Sequence, residues 1–173
     1  MNTFAKIRFF FIIPLICVAF FSCNPEEELP PETILGFVSV QQFRDSLDNI
    51  AGINIRISYQ DGDGNIGFLG RDTTDNLFIH VFDRKSLTDT THVPLQDLNP
   101  TEPSNVVIRF SIPDLNPGRQ QSVRGFMDIR IRDAQFEFMQ LASEHGIVGF
   151  NIYMYDRDLV QSNTVEIRNI SIR

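Results

Sequence analysis

Tryptophan is absent from this 173-residue chain, and cysteine, histidine and tyrosine are scarce at two, three and three residues. Cys17 lies inside an apolar leader and Cys23 at its end, so an exported chain keeps one sulfur and an internal disulfide is excluded. His80, His92 and His145 are isolated in sequence, with no H-E-x-x-H or comparable ligand spacing, and no G-x-S-x-G string marks a nucleophile elbow. A hydrolase would have to draw on two of the 22 acidic residues, brought together by the fold as in a glycosidase. Without Trp, the strongest stacking surface for a sugar is missing, which leaves Tyr59, Tyr153 and Tyr155. The 16 Phe lie mostly in the leader or in strand patterns, where burial is expected.

Basic residues are also in deficit. Lys and Arg number 15 against 22 Asp and Glu, and loss of Lys6 and Arg8 with the leader takes the formal charge from −7 to −9. A basic patch for nucleic acid or anionic lipid is not expected on such a body. At 42% hydrophobic and 21% charged residues the composition is that of a globular protein, and the length suits one domain plus a leader.

The leader, residues 1–22, carries Lys6 and Arg8 and then the apolar run Phe9 to Phe21, too short for a spanning helix and laid out as a secretory signal. The cut site Phe20-Phe21-Ser22-Cys23 resembles the lipobox of bacterial lipoproteins, which implies a lipid on Cys23. After it, Asn24-Pro25-Glu26-Glu27-Glu28 is similar to the acidic export signal that sends such proteins to the outer face of the outer membrane; an acidic solvated linker has the same composition. With Pro30 and Pro31, residues 23–32 read as a stiff tether.

From Thr33 the pattern is one of strands. Ile53, Ile55, Ile57 and Tyr59 alternate with Asn54, Arg56 and Ser58, a period of two that buries one face. Similar stretches at 34–40, 76–82, 105–112, 122–131, 147–155 and 164–172 make about seven strands, broken by turns such as Asn116-Pro117-Gly118. Residues 133–145 break the rule: Ala134, Phe138, Leu141 and Ala142 fall at helical spacing behind a capping Asp133. Residues 85–104, with three prolines, form the longest stretch without a strand pattern. The expected fold is all-β, an immunoglobulin-like antiparallel sandwich over 33–173 with one short crossover helix near 133–145; a barrel is the second choice.

Asp61-Gly62-Asp63-Gly64-Asn65-Ile66-Gly67 is the most distinctive string. Oxygens at alternate positions of a glycine-rich loop can converge on Ca²⁺, and Asp72 falls at the place of a last ligand. Ile66 stands where an EF-hand needs glycine, and strands flank the loop, so the alternatives are a non-EF calcium loop and a turn whose Asp and Asn side chains cap their own backbone. Lettered in order as an immunoglobulin-like sandwich, the Asp61 loop and the loop of Asp156 and Asp158 come to one pole with residues 113–119 and the start of the domain. Asp61, Asp63, Asn65, Asp72, Asp156 and Asp158 then share a Ca²⁺ or form an acidic rim.

The D-G-D-G-N-I-G string after one strand, with Asp156, Ser162 and Asn163 in the turn before the last, resembles a group of uncharacterised Bacteroidetes-type lipoproteins with an immunoglobulin-like domain. The resemblance covers most of the exported chain and rests on turns. It implies a lipid-anchored outer-membrane protein facing the cell exterior, acting without catalysis as an interaction or structural module or, alternatively, as a glycan-binding accessory protein. The expected partners are the membrane, through Cys23, and an extracellular protein or glycan, with no nucleic acid.

Overall fold

The computed structural model describes residues 29–68, 74–99, 101–102, 104–115 and 121–173. Cys23, Asp72 and residues 116–119 of the expected polar loop lie outside them. Two antiparallel sheets pack face to face. The smaller has the order β1 (Ile34–Arg44), β2 (Ile50–Asp61), β6 (Val123–Arg132). In the larger, β3 (Leu77–Asp83) pairs β7 (Ile147–Met154), which pairs β8 (Val165–Ser171). The short strands β4 (Val93–Pro94) and β5 (Val107–Phe110) lie end to end along the other edge of β3. This is an immunoglobulin-like sandwich: β1, β2 and β6 in one sheet, the rest in the other.

The alternation in β2 sorts as expected. Ile53, Ile55 and Ile57 are fully buried while Arg56 is exposed. They meet Leu77, Ile79 and Val81 of β3 and Val148, Phe150, Ile152 and Met154 of β7 in one core. Branched aliphatic side chains suit a pleated, covered surface. The phenylalanines depart from expectation: of those described, Phe136 and Phe150 are in the core, whereas Phe37 is 51% exposed and Phe126 is 62% exposed. A strand pattern fixes which residues share a face, and the wider rings went to the outer faces here.

Two further expectations are corrected. The helix, α1 (Asp133–Ala142), buries Phe136 and Met139, and Leu141 is 72% exposed. Asp133 does not cap it. It is the first helical residue, its φ is +52°, and its carboxylate lies 3.3 Å from Arg132 Nε. That abrupt turn out of β6 sets the helix phase, which the weak apolar periodicity of 133–142 does not. Nor is 85–104 a free loop: Leu95 is buried, its N–H donates to Val81 O and its carbonyl accepts from Val106 N–H, so β4 and its neighbours edge the larger sheet. Pro94 inside a two-residue strand hid this, since proline is confined to sheet edges.

The two lateral edges differ. On one, Asn163 clamps Leu35 of β1 by accepting from its N–H at 2.7 Å and donating to its carbonyl at 2.9 Å, tying the sheets together beside β8. On the other, α1 follows β6 and packs beneath β2 and β6.

Candidate functional site

The acidic loops do meet at one pole. After β2, Asp63 N–H donates to Asp61 Oδ1 (3.3 Å) and Asn65 N–H to Asp63 Oδ1 (3.2 Å), two successive turns in which a carboxylate caps the backbone two residues on. Asn65 Nδ2 then reaches across to Asp158 Oδ2 at 2.8 Å. Arg157 clasps the same loop: its guanidinium donates to Gly64 O (2.7 Å) and Asn65 O (3.0 Å), and its Nη1 lies 3.5 Å from Asp114 Oδ2. The start of the domain is there as well, with Gly62 N–H donating to Pro30 O at 2.8 Å. A side chain at position 62 would collide with the Leu29 and Pro30 carbonyls, so glycine permits this approach.

Of the six residues expected to act together, the five that are described separate into three groups. Asp63, Asn65 and Asp158 line a shallow depression of about 470 Å³ with Arg157. Asp61 is fully buried behind them, beside Thr33 Oγ1 at 3.5 Å. Asp156 is buried too and caps its own loop, accepting from Val160 N–H at 2.8 Å. Burial, with the neighbouring Asp63 carboxylate, raises the Asp61 carboxyl to about 6. Arg157, which sequence reasoning passed over, supplies the positive charge that gathers these loops.

A second assembly covers the outer face of the larger sheet. Between the core positions of β3 stand Phe78, His80 and Phe82, and Tyr153 and Tyr155 follow on the same face at β7. Phe78 and Tyr153 face each other across the ladder and stack at 5.5 Å; His80 stacks on Tyr153 at 5.6 Å, and Tyr155 meets both Phe78 and Tyr153 edge-on. His80 Nε2 is hydrogen-bonded to the Tyr153 hydroxyl at 3.1 Å. Arg109 pairs with Phe78 from β5, and Asn151 lies opposite His80 on β7. The alternation in 76–82 and 147–155 already holds this row; the expectation of burial for strand phenylalanines fails at Phe78 and Phe82, whereas Tyr153 and Tyr155 are two of the three tyrosines expected as stacking candidates.

No protein family, curated protein or solved structure matches this chain. The site therefore rests on its own geometry.

At the far end of the same face Arg84 is wholly buried, and none of its three guanidinium nitrogens makes a hydrogen bond among the described residues. Its counter-charge is Glu166, with Oε1 3.7 Å from Arg84 Nη2, and Phe82 lies across it at 6.0 Å. Gly149 makes room, since a Cβ there would stand 2.9 Å from Arg84 Nε. Glu166 also accepts both forks of Arg168 at 2.7 Å and lies 2.8 Å from His92 Nε2; Arg168 first, and His92 after it, hold its carboxyl at about 2.

Proposed function

We propose that this chain is a lipoprotein held through Cys23 at the outer membrane, facing the cell exterior, where it acts without catalysis as a binding module through the outer face of its larger sheet. The observation that carries this reading is the ring assembly of Phe78, His80, Tyr153 and Tyr155. The solvent side of an antiparallel strand normally carries polar residues, and a contiguous half-buried aromatic group there marks a contact surface. The anchor draws support from the leader, the lipobox-like cut site and the acidic, proline-containing tether. The domain starts at the pole of the acidic loops, so a tether leaves from an end of the sandwich and not across the ring face. Asp61, the carboxyl raised to about 6, sits behind Thr33 and away from the depression lined by Asp63 and Asp158, which favours a structural role for it.

A glycan is the ligand class the same face favours, because rings alternate with hydrogen-bonding groups at Arg109, Asn151 and Glu166. The test is affinity electrophoresis of the purified chain through gels containing soluble polysaccharides, with Tyr153→Ala and Phe78→Ala alongside. Retardation of the wild type, lost in both variants, supports glycan capture. No retardation, with surface crosslinks to a protein that the variants lose, replaces glycan by protein as ligand. Variants that behave as wild type in both assays remove this face from the reading. Protease shaving of cells carrying the wild type or Cys23→Ala tests the anchor separately.

A further inference from the structure

At the pole opposite the acidic loops, β3 ends at Asp83 and α1 gives way to the turn Ser143-Glu144-His145-Gly146. One ligand-type atom each from Asp83, Glu144 and His145 lies within 4.8 Å of the other two. Among the described residues this is the one group of three or more His, Cys, Asp or Glu drawn so close, and the acidic loops at the other pole do not form another. His145 Nδ1 stands 3.7 Å from Asp83 Oδ2.

The surroundings hold two of these donors in place. Asp83 is paired to Val148 of β7 and Val93 of β4, and its Oδ1 accepts from the Ser143 hydroxyl at 2.6 Å. Ser143 is fully buried, and its oxygen in turn accepts from Gly146 N–H at 3.0 Å, pinning the turn that carries Glu144 and His145. Hydrogen-bonded carboxylates of this kind are what orient metal ligands. Arg173 is the nearby cation, and it is spent on the backbone, donating to the carbonyls of Gln140, Ser143 and Glu144. Neither the Glu144 carboxylate nor His145 Nε2 has a protein partner among the described residues.

We propose that Asp83, Glu144 and His145 bind one divalent transition-metal ion of the zinc class. One imidazole nitrogen and two carboxylate oxygens suit zinc, whereas calcium takes oxygen alone. Zinc bonds of about 2 Å require the donors to close to within about 4 Å of one another, which the exposed side chains of Glu144 and His145 reach by rotation. Three protein ligands leave a fourth position for water or for a side chain of a bound partner, and the ion would lock the end of α1 to the end of β3.

The test is isothermal titration of the full chain with ZnCl₂ and, separately, CaCl₂, with wild type, His145→Ala, Glu144→Gln, Asp63→Asn and His92→Ala. One zinc per chain is expected, with affinity lowered at least about tenfold in His145→Ala and Glu144→Gln and unchanged in Asp63→Asn and His92→Ala. Both ligand substitutions are at exposed positions, so the circular dichroism of those variants should match the wild type. Absence of zinc binding by the wild type overturns the proposal, as does wild-type affinity in His145→Ala. A loss in His92→Ala equal to that in His145→Ala would overturn it too, by reducing the binding to surface imidazoles in general.

Discussion

The two outer faces of this sandwich start from the same rule of alternation and end in opposite environments. On the smaller sheet, Arg124, Asp128, Arg130 and Arg132 of β6 point outward with Arg56 of β2, all exposed, and the Arg56–Asp128 pair at 3.8 Å is half-solvated. Phe126 sits among them under the Arg56 guanidinium, 5.2 Å from its ring centre. On the larger sheet the corresponding positions carry rings that pack on one another and an arginine cut off from water. One face is a solvated, charged surface and the other a half-buried aromatic one, although the chain as a whole is acidic. Alternation decides which residues share a side; the side chains themselves decide whether that side stays wet.

The sharpest way to break the contrast is Glu166→Gln. It leaves the Arg84 guanidinium buried without its counter-charge, and we expect a loss of about 3 kcal/mol in urea unfolding. Arg84→Met, which removes the charge and keeps the bulk, is expected to cost less than about 1 kcal/mol or to stabilise. If the two cost the same, Arg84 is not the buried partner described here. The Glu166 carboxyl, held at about 2, also contributes stability that is complete above its unfolded value near 4.5 and is lost as pH falls toward 2.

Next in size is Asp61, at the end of the smaller sheet. Its carboxyl is raised in the folded chain, so the folded state binds the proton more tightly than the unfolded state. Stability from this group is full below about 4 and falls by about 2 kcal/mol as pH rises through 6. Asp61→Asn should flatten that slope and raise stability at neutral pH, measured by denaturation between pH 4 and 7. A slope unchanged in the variant would place the titrating group elsewhere.

Tyr153→Ala removes the ring shared by Phe78, His80 and Tyr155, and a cost of about 1.5 kcal/mol is expected from the lost stacking and area. The smallest effects belong to the other face. Asp128→Asn should change stability by less than about 0.5 kcal/mol, an effect that added salt screens further, as for exposed pairs in general. A larger loss there would mean that the arginine row is covered in solution.

Much of this was legible in the chain because strand alternation is local. Ile53, Ile55 and Ile57 declare the core, and lettering the strands in order is enough to bring Asp63, Asn65 and Asp158 to one pole. What escaped depends on contacts across the fold. Phe136 and Phe138 are equally apolar, and the Asp133 turn alone decides which of them faces in. Arg84 reads as a surface arginine at the end of a strand, and only Gly149 and Glu166, far along the chain, make it a buried one. Asp83 and His145 are unremarkable apart and become a ligand set only when β3 and the end of α1 are side by side.

The contact between Gly62 and Pro30 bears on how the domain carries load. β1 begins at the pole where the described chain enters and runs away from it, antiparallel to β2 along its length. Tension drawn through Leu29 against drag on the body therefore pulls β1 lengthwise past β2. Its rungs then strain together in shear, where a pull from the side would open them one after another. The Asn163 clamp on Leu35 adds two more bonds near the point of entry. If the proposed anchor holds the domain by its first residues, its pull grips the fold along its strongest direction.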